Sequence, residues 1–197
     1  MRLTDFLRDL LVQTFREPRL AAQRLMALDL PVDARWAALG LVSILSVIET
    51  HLAVMILPRL GQSPAFLMMA NPLTAALMQF ATLAIVSAAI AQGGRIFGGN
   101  GRFADALILV AWVEFVLTIA QLVQTVALLL LPPIGLAVGI AALAVFVWLM
   151  VQFTAALHGF ADAMKVLLGL VAGFILMAVA AAIVFSALGL VPQMPGG

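Results

Sequence analysis

The sequence has no cysteine and no tyrosine among its 197 residues, and only 10% of them are charged. The lack of cysteine excludes disulfides, zinc–thiolate sites and thiol chemistry, and leaves the redox compartment unmarked. The shortage of charge excludes an ordinary water-soluble surface, since soluble domains carry roughly 25% charged residues. Charge vanishes altogether from Phe115 to Leu157, and nothing after Lys165 is charged. Histidine is nearly absent as well, with only His51 and His158. There is no His-Glu-x-x-His motif and no Gly-x-Ser-x-Gly elbow, so nothing points to an enzyme. A metal site would need several converging ligands, and the two histidines fall on opposite halves of the apolar region, so no metal or cofactor is expected. A net charge of +1 argues against a nucleic-acid partner.

What the sequence does have is hydrophobicity: 65% of its residues, for a mean hydropathy of +1.20. The composition predicts an all-α integral membrane protein, a bundle of five transmembrane helices preceded by an amphipathic N-terminal helix. Turn signals and charges divide residues 34–197 into spans at 36–57, 73–96, 105–131, 134–157 and 166–190. At about 1.5 Å per residue each can cross a hydrocarbon core of roughly 30 Å. Pro58 and Gly61 end the first span, Asn71-Pro72 opens the second, Pro132-Pro133 makes a hairpin, and His158-Gly159 closes the fourth. Residues 64–70 are apolar but too short to span, and are expected to form a short helix on the outer surface.

Residues 1–33 lack the apolar core of a signal peptide and are expected to be retained. Leu3, Phe6, Leu7, Leu10, Leu11 and Phe15 fall at helical spacing and form one apolar stripe. Glu17-Pro18 breaks this helix, and Pro18 starts a second one running to Leu28. The favoured reading places both in the plane of the membrane surface, with Arg2, Arg8, Arg16, Arg19 and Arg24 toward anionic headgroups. A cap packed on the bundle is the other reading.

Basic residues set the expected orientation. The N-terminal segment carries six (Arg2, Arg8, Arg16, Arg19, Arg24 and Arg35), the second loop Arg95 and Arg102, and the fourth Lys165, against Arg59 alone on the other side. This asymmetry predicts a cytoplasmic N-terminus and a periplasmic C-terminus.

Polar residues inside the spans are the candidate functional groups, because an ionisable group at the bilayer centre costs about 2.5–3.5 kcal/mol on insertion scales. Glu114, Thr118, Gln121 and Thr125 form one seam on the third span, with Gln124 slightly off it, so this span should be central. Ser43, Ser46, Glu49 and Thr50 make a weaker stripe on the first span, and His51 is two residues from Glu49, on another face. By depth, Glu49, His51, Gln79 and Gln124 fall outside the midplane, whereas Glu114 and Gln152 fall inside it. Two polar layers follow, acting either as hydrogen-bonding glue between helices or as a proton or solute pathway through Glu49 and Glu114. His158 is near the cytoplasmic end, within reach of Asp162. The pairs Gly94/Gly98, Gly135/Gly139 and Gly169/Gly173 allow close helix approach.

The run Gly98-Gly99-Asn100-Gly101-Arg102-Phe103-Ala104-Asp105-Ala106-Leu107, leading into Val110-Ala111-Trp112, resembles the bacterial branch of the Yip family of Ypt/Rab-interacting membrane proteins. The order of parts is similar across residues 18–190, including the Gly-Gly loop after the second span and His158-Gly159-Phe160 after the fourth. The long N-terminal domain and the Asp-Leu-Tyr-Gly-Pro type of motif of eukaryotic members are missing, so the resemblance does not imply Rab binding. It implies a multi-pass protein of the bacterial inner membrane, a non-enzymatic scaffold, partner-binding subunit or membrane-shaping factor. A small-solute or proton-coupled permease using Glu49 and Glu114 is the alternative. The expected partners are the lipid bilayer, anionic headgroups, and a protein partner or a second copy. The loop of Gly98, Gly99, Gly101, Arg102 and Asp105 lacks the phosphate-binding arrangement, and Asp105 occupies the place an anion would take. It reads as a tight cytoplasmic turn, with Arg95 and Arg102 as headgroup anchors.

Overall fold

The computed structural model describes residues 3–62 and 70–187. The described residues are almost entirely helical: α1 (Leu3–Arg16), α2 (Pro18–Met26), α3 (Val32–Ile56), α4 (Pro72–Ile96), α5 (Phe103–Leu130), α6 (Pro132–His158) and α7 (Ala163–Ala187), with a short 3-10 turn at Pro58–Gln62. Helices α3 to α7 are long and apolar enough to cross a membrane, and the chain is an integral membrane protein. They begin one to four residues earlier than hydropathy places them, because the short segments Val32–Arg35, Phe103–Ala104 and Ala163–Lys165, which carry or directly precede the charges Asp33, Arg35, Asp105 and Lys165, are already helical. Residues 64–69 of the short outer helix expected at 64–70, and the end of the last span, 188–190, lie outside the described residues; Ala70 is described and is not helical.

Capping residues set the boundaries. Asn71 accepts at its side chain from the N–H groups of Leu73 (2.9 Å) and Thr74 (3.2 Å), and Pro72 needs no partner in the first turn of α4. Asp162 does the same for α7, accepting from Met164 N–H at 2.9 Å and Lys165 N–H at 3.3 Å. Gly159 ends α6 at φ +73°, the left-handed conformation that closes a helix, and the N–H of Phe160 returns to the carbonyl of Ala155 at 2.9 Å.

Helix α5 is the centre of the bundle, packing against α2, α3, α4 and α6. Its most apolar stretch is 56% buried, against 6% for α7, which leans lightly on α6 and α4. One core joins Leu39 and Val42 of α3 to Leu83 of α4 and Leu107, Val110 and Ala111 of α5. Trp36 completes it, with ring centroids 5.7 Å from Phe80 and 5.8 Å from Phe103.

A second core corrects the expectation for the N-terminus. Leu10, Ala21, Ala22 and Leu25 are buried against Ala106, Leu109, Trp112 and Val113 of α5 and Leu149 and Phe153 of α6. The apolar stripe of α1 and α2 therefore faces the bundle, where it withdraws apolar area from solvent against α5 and α6. Near the end of α1, Thr14, outside the expected stripe, is fully buried, while Phe15 of the stripe is half exposed.

Candidate functional site

Polar groups gather at two levels. The first is the face carrying the N-terminus, where the end of α4, the start of α5 and the end of α6 meet. The imidazole of His158, 4% exposed, lies inside the Gly-rich loop. The N–H of Gly101 donates to His158 Nδ1 at 3.0 Å, and Nε2 stands 3.1 Å from the carbonyl of Ile90. Because Nδ1 accepts, the proton is on Nε2, where it donates to Ile90, and the ring is neutral in one tautomer. A Cβ on Gly94, Gly99 or Gly101 would overlap the imidazole ring. The glycines of the loop are thus explained by the space His158 takes, not by phosphate. Gly98 supplies the turn itself at φ +83°. Arg95 Nε donates to the carbonyl of Gly101 at 3.1 Å, tying the loop back to α4, while Arg102 is exposed. Asp162, expected beside His158, instead caps α7, and Phe160 stacks on the imidazole with centroids 5.4 Å apart.

Beside this cradle Asp105 forms an ion pair with Arg35, whose Nε also donates to the carbonyl of Leu30 at 2.9 Å. Side-chain exposures of 6% and 16% make the pair an internal one. Arg35 is therefore not a headgroup-facing charge. The signal was available in the sequence: opposite charges stand in the first turns of two spans that start on the same face.

Arginines of the cap also turn inward. Arg19 Nε donates to Gln152 Oε1 at 2.7 Å and its Nη2 to the carbonyl of Ala161 at 3.3 Å. Gln152 thus leaves the polar layer it was expected to share with Glu114 and joins the cap, because α2 brings a full charge to it. Arg24 donates to Gln13 at 3.1 Å and lies over the ring of Phe6, 4.9 Å from its centroid. Trp112, on the central helix, donates its indole N–H to Thr14 Oγ1 at 2.9 Å.

The second level is a crevice of about 420 Å³ between α3, α4 and α5 in the half of the bundle away from the cap. Its polar lining is Ser46, Glu49, Thr50, His51, Gln79, Gln121, Gln124 and Thr125. Thr125 Oγ1 donates to Glu49 Oε1 at 2.9 Å, and Gln79 Nε2 to Glu114 Oε1 at 2.8 Å. Gln79 and Glu114, assigned to different layers by depth, are bonded to each other, since an amide side chain reaches across about a turn of helix. Thr118 departs from the expected seam: its hydroxyl donates to the carbonyl of Glu114 within its own helix at 2.9 Å. Ser43, Thr50 and Ser87 likewise bond four residues back. His51 places Nδ1 2.9 Å from the carbonyl of Val47 and Nε2 3.4 Å from that of Ala70. Gln121 is exposed at the crevice, and Gln124 reaches toward α6, where a Cβ on Gly139 would overlap its amide. Gly135 opposes Leu128 in the same way, whereas Gly169 and Gly173 of α7 face nothing within 4 Å.

Among the described residues no group of three or more His, Asp or Glu could hold a metal ion. Toward the cap the crevice gives way to the apolar core around Leu83, Leu107 and Val110, and the void lined by Ile90, Leu109, Val113 and Phe153 has a volume of only about 10 Å³. The family model of the Yip1 domain matches residues 12–184. No curated protein and no solved structure matches the chain.

Proposed function

The chain belongs to the Yip1 domain family, and on that footing we propose that it is a non-enzymatic scaffold of the bacterial inner membrane, with its N-terminus cytoplasmic and its C-terminus periplasmic. The observation that carries this reading is the seat of α1 and α2 on α5 and α6. The bond from Trp112 to Thr14 and that from Arg19 to Gln152 make the cap a fixed part of the bundle. Its outer side keeps Val12, Phe15 and Leu20 about half exposed beside Arg8 and Arg16. A fixed surface of mixed apolar and basic character suits a protein partner lying at the level of anionic headgroups. The orientation is supported by the basic asymmetry of the loops.

A photoreactive amino acid at Phe15 or Leu20 should give a discrete cross-linked species in cells, and one at Leu122 of α5 should label lipid only. Equal smears from all three positions would remove the scaffold reading.

A permease working through Glu49 and Glu114 is the second reading, favoured by the polar crevice. The apolar core between crevice and cap works against it, because a solute or proton would meet several layers of aliphatic side chains. Proton-coupled or solute flux in proteoliposomes above that of protein-free vesicles, abolished by Glu114→Gln, would establish it in place of the scaffold.

A further inference from the structure

Glu49 is the feature of the crevice that the scaffold reading does not use. It is 6% exposed, and its hydrogen bond from Thr125 engages only Oε1. Among the described residues neither ion pair involves Glu49: these are Arg35 with Asp105 and Lys165 with Asp162. A carboxylate withdrawn from water without a cation is costly, and its cost is relieved by a proton or by a positive group brought to it. The space beside it is about 420 Å³, within the range of small-molecule sites and far more than a bare metal ion fills. Gln79 and Gln121 line that space with amide side chains, while Gln124 borders it but turns its amide toward Gly139 of α6. Gln79 spends an N–H on Glu114, which leaves its carbonyl oxygen as an acceptor. A site made of one carboxylate and two amide carbonyls is matched by a group with a single positive charge and several N–H donors.

We propose that the crevice between α3, α4 and α5 binds a small primary ammonium, with Glu49 as its counter-ion and Gln79 and Gln121 accepting from its N–H groups. The crevice reaches from the end of the bundle at Leu60 and Leu128 to the level of Ser46. That is ten residues from the end of α3, a depth of about 15 Å, near the middle of the hydrocarbon core. The helices that form it carry exposed apolar side chains outside the crevice, among them Leu45 and Leu52 of α3, Met78 of α4 and Leu122 of α5. The ammonium can therefore arrive on the headgroup of an aminophospholipid or on a water-soluble amine.

The test uses the full-length protein with two probes. Thermal unfolding is followed in nanodiscs of phosphatidylcholine with and without phosphatidylethanolamine, and binding of radiolabelled ethanolamine is measured by equilibrium dialysis in detergent. A Tm raised by phosphatidylethanolamine alone identifies the lipid source, and saturable ethanolamine binding identifies the soluble one. Either effect should be at least tenfold weaker in Glu49→Gln. Should Glu49→Gln fail to fold, Gln121→Leu serves instead: it changes an exposed side chain and should weaken either effect at least threefold. The proposal is overturned if neither probe acts on the wild type, if a folded variant responds as the wild type does, or if sodium chloride at equal concentration competes fully.

Discussion

The indole N–H of Trp112 donates to the hydroxyl of Thr14 at 2.9 Å, and the Thr14 hydroxyl in turn donates to the carbonyl of Leu10 at 2.8 Å. The bond fastens the N-terminal cap to the central helix in a fully buried spot. Trp112→Phe should lower stability in detergent by about 1 kcal/mol, the net worth of one such bond. Thr14→Val strands the buried indole N–H and should cost about 1–3 kcal/mol. The double variant should lose less than the sum. Both single variants should expose residues 3–26 to limited proteolysis, and unchanged proteolysis would mean that the apolar contacts alone hold the cap.

The loop glycines can be tested through the ring they enclose. Gly94→Ala and Gly99→Ala place a Cβ within the imidazole of His158, and each should destabilise by about 1–3 kcal/mol, the usual cost of overpacking. Adding His158→Ala to Gly94→Ala should recover part of that loss. Gly93→Ala is the control, since its Cβ meets nothing within 4 Å. Thermal unfolding of the four variants decides the matter, and a Gly94→Ala protein as stable as the wild type would refute the cradle.

Asp105 and Arg35 form an ion pair in surroundings nearly closed to water. Asp105→Asn leaves a buried guanidinium without its counter-charge and should cost about 3–5 kcal/mol. Replacing both by Leu should be milder than either single change, because the desolvated charges leave together. This ordering is checked by denaturation of the three variants side by side.

Glu114 holds Gln79 across α4 and α5. Glu114→Gln keeps a hydrogen-bonding side chain of the same shape and should leave thermal stability nearly unchanged. Glu114→Leu removes the acceptor, and its cost should average about 0.6 kcal/mol, as for hydrogen bonds within membrane proteins. A loss of several kcal/mol from Glu114→Gln would show that the charge itself is structural.

Membership of spans was legible because hydrophobicity over about twenty residues needs no knowledge of neighbours. The central place of α5 was legible too, since the polar seam from Glu114 to Thr125 could not face lipid. The pairing of polar groups was only partly so. Depth put Gln79 and Glu114 in separate layers, although long side chains reach further than the spacing between those layers. Gln152 was assigned to the membrane interior because nothing in its own span reveals that Arg19, 133 residues earlier, comes to meet it. Two of the missed contacts did leave a trace: Arg35 and Asp105 are opposite charges in first turns on one face, and a buried indole such as Trp112 requires an acceptor.

By itself the sequence determined that this chain has five helices long and apolar enough to span a membrane, and which helix lies in the middle, because these follow from local apolar length and the cost of polar groups in lipid. Tertiary structure alone decided that the amphipathic helices cap the bundle, that the glycine loop encloses His158, and that Glu49 borders a crevice. An apolar stripe is equally satisfied by lipid or by protein, and a glycine is equally suited to a turn or to a close neighbour. Only the partner brought there by the fold distinguishes the two.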